Sequence, residues 1–254
     1  MKRVLYYTAS PLAALLLWEL CAQQAWIDVR FFPAPTAIGG YALSSLDAGD
    51  VWTHLSASLQ RIGWGYGAGV IFGISIGIAM GLSRVARVLG YPLVAMFYPI
   101  PKIALFPLVM LIFGIGEISK IFVVALGCFF LVVMNTLRGV DQLDRIHFDV
   151  ATIFQLRRAD LIRHVILPGA LPSIFTGLRL ALGYSLVIVV AAEFSGANTG
   201  IGYWIWQAWE TFAIKRLYVG IFVIAALGIV CSASLDVLER LLTPWRDTRR
   251  HTIG

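Results

Sequence analysis

Few residues in this sequence have the type and spacing that chemistry requires. H-E-x-x-H, G-x-S-x-G and G-x-x-x-x-G-K-[ST] are all absent, so the sequence carries no zinc-protease, serine-hydrolase or phosphate-loop signature. The three cysteines are isolated from one another and form no C-x-x-C pair. Four histidines lie outside the apolar stretches without metal-ligand spacing: His54, His147, His164 and His251. The sequence therefore predicts a chain that is not an enzyme and binds no metal or cofactor.

Two ionisable residues, Arg179 and Glu193, lie within or at the edge of one long apolar stretch. Ionisable residues at membrane depth are candidates for a substrate path by default. Arg179 is about two helical turns from one end, within reach of the membrane surface for a long side chain. Glu193 lies at the other end, where we expect water to reach it. Our candidates for a substrate path are Glu193 with the polar residues Asn135, Ser185 and Asn198; the alternative, a solvated Glu193, stays open.

The composition is that of a membrane protein. Of 254 residues, 59% are hydrophobic and 13% are charged, about half the charged fraction of a soluble domain. We predict an all-α membrane protein with a single domain, a retained N-terminal anchor helix over residues 1–24 and a core over about 51–242. Six stretches are each about long enough to cross a bilayer: Leu5–Ala22, Gly63–Leu82, Val88–Gly114, Ile118–Leu137, Ser173–Glu193 and Leu217–Leu238.

Basic residues indicate the orientation of these spans. With the N-terminus in the cytoplasm, thirteen of the 20 Lys and Arg residues fall on the inner side. Five fall on the outer side: Arg30, Arg61, Lys120, Lys215 and Arg216. An excess of basic residues on the inner side predicts both termini in the cytoplasm and a multi-pass protein of the inner plasma membrane. The net charge of +6 follows from this topology and does not indicate a nucleic-acid partner.

The second span carries glycine at every fourth position: Gly65, Gly69, Gly73, Gly77 and Gly81. Small residues in such a row let another helix approach closely, because membrane helices associate through packing. A generally glycine-rich membrane helix is the alternative. We interpret the row, called the glycine ladder below, as a helix-packing groove.

Prolines interrupt the third span at Pro92, Pro99, Pro101 and Pro107. Each proline removes a backbone hydrogen bond, and irregular backbone at membrane depth is typical of transporters and channels. Two short helices at a protein interface would fit equally well, and the two interpretations are compatible.

The charged stretch from Asp144 to Pro172 separates two apolar spans. Apolar residues at helical spacing occur on both sides of the polar segment Gln155–Arg158, and Pro168 is expected to end the second run. The pattern predicts two short amphipathic helices within a cytoplasmic loop of about residues 138–172. Such helices either rest on lipid headgroups or insert an apolar face into the groove of a partner.

This stretch resembles the coupling loop of ABC-importer permeases, E-A-A-x-x-x-G followed by nine residues and then I-x-L-P. Asp149 stands at the Glu, Val150 and Ala151 at the alanines, and Gln155 at the Gly. Val165 falls at the Ile or one place from it, and Leu167 and Pro168 match the final L-P. The stretches FPAPTAI, PIPKIALFPLVMLIFGIGEISKIF, LPGALPSIFTGLRLALG, ANTGIGYWI and LLTPW are similar to the aliphatic sulfonate, taurine and nitrate branch.

The resemblance, which covers about Phe32 to Trp245, implies a type I importer fold and a homodimer in membrane lipid. It also implies two cytoplasmic subunits that bind ATP and Mg, and a periplasmic substrate-binding protein. It assigns ATPase coupling to Asp149, Val150, Ala151, Ile153, Phe154, Gln155, Arg157, Arg158, Leu167 and Pro168. The expected solute is a small organic anion such as a sulfonate or taurine; nitrate, bicarbonate, aromatic acids and vitamin precursors stay open. An ion-coupled secondary transporter or channel is a rival class.

One further stretch, Ser195 to Ile205, lies between two spans on the expected outer side. Its three glycines permit an irregular path, while its apolar residues are unsuited to a loop free in water. We expect it to fold back into the outer mouth of the dimer. The alternative is an interfacial helix whose Tyr203 and Trp204 lie at headgroup level.

Overall fold

The chain is helical throughout the part that the structure describes. This computed structural model describes residues 2–47 and 49–245, so Arg246, Arg249 and Arg250 lie outside the described residues. The all-α prediction is confirmed: these ranges contain α-helices, a short 3₁₀ turn and a π-helical turn, with no strand. The helices are α1 (Lys2–Gln23), α2 (Pro35–Asp47), α3 (Asp50–Leu82), α4 (Arg84–Phe97), α5 (Phe106–Phe113), α6 (Glu117–Asp141), α7 (Arg145–Ile153), α8 (Arg158–Leu161), α9 (Leu167–Gly196), α10 (Ile201–Glu210) and α11 (Ile214–Leu242).

Among the described residues, four helical segments are long and apolar enough to cross a membrane: α3, α6, the run from Arg158 to Gly196, and α11. They correspond to the second, fourth, fifth and sixth spans expected from the sequence. The apolar part of α1, Ala9–Gln23, is shorter. In the most apolar 18-residue stretch of α6, half of the residues are buried inside the chain. In the most apolar 18-residue stretch of α11, none is buried. That part of the α11 surface is therefore left for lipid or for another chain.

The third expected span is broken, as its prolines predict. Helix α4 and the run from Lys102 to Phe113 meet at an angle of 89°. Pro99 and Pro101 lie in the break between them, and Pro107 lies in the first turn of α5, where a missing N–H costs no helical hydrogen bond. Pro92 lies inside α4.

The described chain divides into two compact units. Of the described residues, the first unit contains 2–47, 49–59 and 193–226, and the second contains 60–192 and 227–245. A small apolar core built around Ile38, Val51, Ile201 and Trp204 holds the first unit together. The larger core of the second unit is centred on α6 and α9.

Within the second unit, the glycine ladder of α3 faces α6. A Cβ atom on Gly65, Gly69, Gly73, Gly77 or Gly81 would lie 2.5–2.7 Å from a side-chain carbon of α6. The α6 residues in these contacts are, in the same order, Val124, Cys128, Val132, Thr136 and Val140. The residue numbers rise in the same direction along both rows, in steps of four, so α3 and α6 run parallel. The second and fourth spans of a chain that crosses the membrane alternately must also run parallel.

The expectation that Pro168 ends a helix is wrong. Helix α9 begins at Leu167 and continues through Pro168 and Pro172 to Gly196. A π-helical turn from Ile162 to Ile166 precedes it, and Leu167 N–H bonds to Ile162 O, five residues back. Proline at the second position of α9 needs no N–H donor once the preceding turn has changed its hydrogen-bond pattern. The run from Arg158 to Gly196 is therefore helical from the charged loop into the span.

Candidate functional site

Helix α7 presents two different faces, and both follow from its sequence. Asp144 caps its start, because the Asp144 carboxylate accepts a hydrogen bond from Ile146 N–H at 3.2 Å. Phe148 packs against the core of the second unit, and Ala151 is only 6% exposed. On the opposite face four apolar side chains are exposed: Ile146, Val150, Ile153 and Phe154. The exposed row is a large apolar surface on a short helix and is typical of a docking element.

This geometry corrects the expected role of Ala151. Contact with an ATPase subunit was expected of Val150, Ala151 and Ile153 alike, but Ala151 is buried within its own chain. Small size at this position lets α7 lie close to the second unit. Val150 and Ile153 remain available to a partner, with 45% and 77% of their surface exposed.

Gln155 ends α7 in a left-handed backbone conformation, with φ of 49°. The turn around it is closed by hydrogen bonds from Gln155 N–H to Thr152 O and from Leu156 N–H to Ala151 O, each 3.0 Å long. Glycine is the residue that adopts this conformation without steric cost. The turn expected of the motif's glycine is therefore present with glutamine in its place.

The remaining expected coupling residues divide by exposure. Asp149, Arg157 and Arg158 are exposed beside the apolar row. Leu167 and Pro168 are partly buried, and Leu167 packs against the core of the second unit. The exposed surface of the loop thus combines four apolar side chains with two arginines.

A cleft of about 610 Å³ lies within the second unit. Helices α6 and α9 and the break between α4 and α5 form its walls. Its lining is mostly apolar and aromatic, with two basic side chains: Tyr98, Pro99, Lys102, Gly127, Phe130, Leu131, Arg179, Leu180, Gly183, Tyr184 and Val187. A concave, mainly apolar site with a few polar groups is typical of small-molecule binding.

Lys102 holds the break of the third span together. Its ammonium group donates to the carbonyl oxygens of Phe97, Tyr98 and Ile100 at 2.8, 3.0 and 2.6 Å. The same group lies 4.4 Å from the centre of the Phe130 ring. The carbonyl groups at the end of α4 lack helical partners, and the positive charge of Lys102 stabilises them. Lys102 is 3% exposed, so this charge is fixed in the wall of the cleft.

Arg179 pairs with two carboxylates, which differs from the expected extension to the membrane surface. Its guanidinium donates to Asp236 at 2.9 Å and also to Glu239, both on α11 within the second unit. Sequence patterns do not indicate this pairing, because Asp236 and Glu239 lie more than fifty positions from Arg179. The pairs leave Arg179 39% exposed at the cleft.

Comparison with known proteins identifies the family of this chain. The family described as binding-protein-dependent transport system inner membrane component matches residues 69–248. The chain belongs to this family.

Similar proteins cover most of the permease. The taurine transport system permease protein TauC of Escherichia coli strain K12 is 38% identical over 96% of this chain and 91% of its own length. The putative aliphatic sulfonates transport permease protein SsuC of Bacillus subtilis strain 168 is 32% identical, covering 94% and 86%. The bicarbonate transport system permease protein CmpB of Synechococcus elongatus is 33% identical, covering 77% and 70%.

Solved structures share the fold of the permease. An inward-facing structure of the MetNI methionine ABC transporter matches with a TM-score of 0.67 at 18% identity, covering 78% of this chain and 96% of that one. An amino acid ABC transporter crystallised with histidines matches with a TM-score of 0.57 at 17% identity, covering 81% and 98%. At these identities the likeness concerns the fold alone, and it confirms the type I importer architecture.

The four polar residues expected on a substrate path do not line the cleft. Asn135 donates to Leu131 O within α6 at 2.8 Å, and Ser185 donates to Leu182 O at 2.6 Å within α9. Ser185 is fully buried. Asn198 is exposed in the loop between α9 and α10. The cleft is instead lined by aromatic, aliphatic and basic residues. Its two basic residues, Lys102 and Arg179, are charges within apolar spans and so carry a sequence signal, whereas the aromatic and aliphatic residues carry none.

Glu193 is fully buried within the first unit, so the expectation that water reaches it is wrong. Its carboxylate accepts the Ser58 hydroxyl at 2.8 and 3.0 Å and Gly202 N–H at 2.8 Å. Ser58 in turn accepts Ile201 N–H at 2.8 Å. The first N–H groups of α10 therefore end on Glu193 and Ser58, where a negative charge is favoured by the helix dipole.

The stretch from Ser195 to Ile205 is irregular only between α9 and α10. From Ile201 onward it forms α10, whose residues Ile201, Gly202, Trp204 and Ile205 are buried. Trp204 is buried and donates its indole N–H to Asp50 at 2.7 Å, so its ring packs inside the first unit. The expected place of this stretch in the mouth of a dimer stays a prediction.

Proposed function

We propose that this permease is the membrane-spanning subunit of an ATP-driven importer for small organic anions, with taurine or an aliphatic sulfonate as the solute. A periplasmic binding protein delivers the solute to the outer face. Two cytoplasmic subunits that bind ATP and Mg supply the energy, and a second copy of the permease completes the path. Both termini lie in the cytoplasm. The permease itself carries out no catalysis.

The similarity to the E. coli taurine permease, 38% identity over nearly the whole chain, carries this proposal. A bicarbonate importer is the second candidate, because the bicarbonate permease CmpB of Synechococcus elongatus is 33% identical over 77% of this chain. Nitrate, aromatic-acid or vitamin-precursor import is a less specific alternative.

The exposed row on α7 supports coupling to an ATPase. Four apolar side chains on one helix face are costly in water, and a groove on a cytoplasmic subunit would bury them. The neighbouring Arg157 and Arg158 supply polar contacts at the edge of such a groove. Closure of two ATPase subunits on ATP would move α7 and, through the helix from Arg158 to Gly196, the span that forms one wall of the cleft.

The cleft of the second unit supports an anionic solute. Lys102 is held in its wall by neutral carbonyl groups, so its charge is not cancelled by a carboxylate among the described residues. An aliphatic sulfonate combines a charged head with an apolar body, and the wall offers Lys102 beside Phe130 and Leu131.

The test is uptake of labelled solute into proteoliposomes that contain the permease, its ATPase and its binding protein. We expect ATP-dependent uptake of taurine or ethanesulfonate, with the ATPase subunit co-purifying with the permease in stoichiometric amount. Uptake of bicarbonate without any sulfonate would favour the second candidate. Uptake that follows an ion gradient and needs no ATP would contradict the proposal.

A further inference from the structure

A second pocket, of about 450 Å³, lies within the first unit. It is formed by the segment after α1, by α2 and by the turn that joins α10 to α11. Three basic residues, Arg30, Lys215 and Arg216, line it together with apolar side chains that include Val29, Tyr41 and Phe212. These three are among the five basic residues expected on the outer side of the membrane. The predicted orientation therefore places this pocket on the outer face.

The guanidinium of Arg216 is held in place, but not all of its N–H groups have a hydrogen-bond acceptor among the described residues. Its Nη2 donates to the Gln207 side chain at 2.8 Å, and the group lies 4.9 Å from the centre of the Trp204 ring. The nearest carboxylate oxygen, on Asp50, is 3.8 Å away. Within residues 2–47 and 49–245, the buried Nε has no hydrogen-bond acceptor. A buried donor without an acceptor is costly, and a guanidinium held in place is suited to binding an oxyanion.

The other two basic residues add charge at the same pocket. Lys215 is exposed, and no ion pair joins it to another residue of the described chain. Arg30 is paired with Asp28 at 2.8 Å, and its hydrogen bond holds the pKa of the Asp28 carboxyl below the usual value. The described lining of the pocket thus carries three basic side chains and no acidic one, which makes it positive.

We propose that this pocket binds the oxyanion head of a small organic solute, a sulfonate above all, through Lys215 and Arg216. The apolar wall formed by Val29, Tyr41 and Phe212 then contacts the carbon chain of the solute. The concave shape and the volume suit a small molecule, and charge-assisted hydrogen bonds to an oxyanion are the strong kind. The choice of solute rests on the proposed function. A phospholipid headgroup presents the same oxyanion chemistry.

The test is direct binding of labelled ethanesulfonate to the permease–ATPase complex in phosphatidylcholine nanodiscs, without the binding protein. Lys215→Gln should weaken binding about fivefold, the upper range for an exposed charge pair, and Lys215→Arg should restore it. Lys215→Gln combined with Arg30→Gln should weaken binding further. Arg84→Gln removes an exposed charge at the start of α4, far from the pocket in sequence, and serves as the control. Equal affinity of the Lys215→Gln variant and the wild type would overturn the proposal.

Two further measurements separate the alternatives. If phosphatidylglycerol nanodiscs abolish ethanesulfonate binding and the Lys215→Gln variant loses bound phosphatidylglycerol, the pocket belongs to a lipid headgroup and the solute assignment is overturned. ATP-driven uptake is measured in parallel on the same variants. Normal uptake by a wild-type complex that binds no ethanesulfonate contradicts the pocket alone. Binding that depends on Lys215, in a complex without sulfonate uptake, contradicts the proposed function alone.

Discussion

Gly69 of α3 lies so close to Cys128 of α6 that a Cβ atom on the glycine would stand 2.6 Å from the Cys128 Cβ. The Ala125 carbonyl oxygen would be 2.7 Å from the added Cβ atom. Backbone atoms cannot yield as the end of a flexible side chain does, so even one methyl group must push the two helices apart.

We therefore expect Gly69→Ala to destabilise the permease by about 1–3 kcal/mol, the usual cost of overpacking. The matched control is Gly67→Ala in the same helix, where a Cβ atom would meet nothing within 4 Å. That control should be neutral or slightly stabilising, because alanine favours the helix. Thermal unfolding of both purified variants in detergent is the measurement. Equal melting temperatures of the two variants would show that the glycine ladder reflects a glycine-rich helix and not a packing groove.

A second prediction concerns Gly200, which precedes α10. Its φ of 119° is unsuited to residues with a Cβ atom, and that atom would lie 2.3 Å from the Glu193 carboxyl carbon. Gly200→Ala should displace Glu193 and expose the α10 amides to faster hydrogen exchange. Gly39→Ala in α2 of the same unit, where no atom lies within 4 Å of the added carbon, is the control. Unchanged α10 exchange in Gly200→Ala would be inconsistent with the described contact.

A third prediction concerns Gln155. The left-handed conformation costs a residue with a Cβ atom about 1–2 kcal/mol, so Gln155→Gly should stabilise the turn after α7. Hydrogen exchange of the α7 amides should slow severalfold. Phe154→Gly is the control, since Phe154 has an ordinary φ of −81° and glycine there should loosen the helix. Faster exchange in both variants would contradict the prediction.

A fourth prediction concerns Lys102. Lys102→Met keeps the approximate length of the side chain but leaves three carbonyl groups without their donor, at a cost of about 1–3 kcal/mol for each one that stays buried. We expect a melting temperature several degrees lower. Arg84→Met removes an exposed charge from α4 and should change stability by less than about 0.5 kcal/mol. A Lys102→Met variant as stable as Arg84→Met would mean that the break does not depend on Lys102.

A fifth prediction separates the two faces of α7. Ile153→Asp places a charge on the exposed row, so it should abolish co-purification of the ATPase subunit without lowering the melting temperature of the permease. Ala151→Asp buries a charge inside the chain and should lower that temperature itself. His147→Asp, at an exposed polar position of the same helix, is the control. Retention of the ATPase by Ile153→Asp would exclude the row as the docking surface.

Sequence patterns predicted local features better than contacts between distant residues. The glycines of α3 repeat visibly, but their partners on α6 are mostly β-branched and carry no small-residue signal. Gln155, which aligns with the motif's glycine, marked the turn after α7 correctly. The expectation that a proline ends a helix was wrong at Pro168, because a π-helical turn precedes it. Glu193 was singled out as ionisable, yet its hydrogen-bond partner Ser58 lies 135 positions earlier in the chain and carries no such signal.

The matching repeats of α3 and α6 have a consequence for the register of the two helices. If α6 slid along α3 by four residues, about 6 Å, each glycine except one at the end would again face a residue of the opposite row. Close packing alone therefore permits more than one alignment. The ion pair between Arg61, before the first glycine of the ladder, and Glu117, at the start of α6, exists in only one of them. Arg61 is 2% exposed, so a slip would leave a buried charge without its carboxylate. The Arg61–Glu117 pair therefore favours the alignment that the five glycines alone leave degenerate.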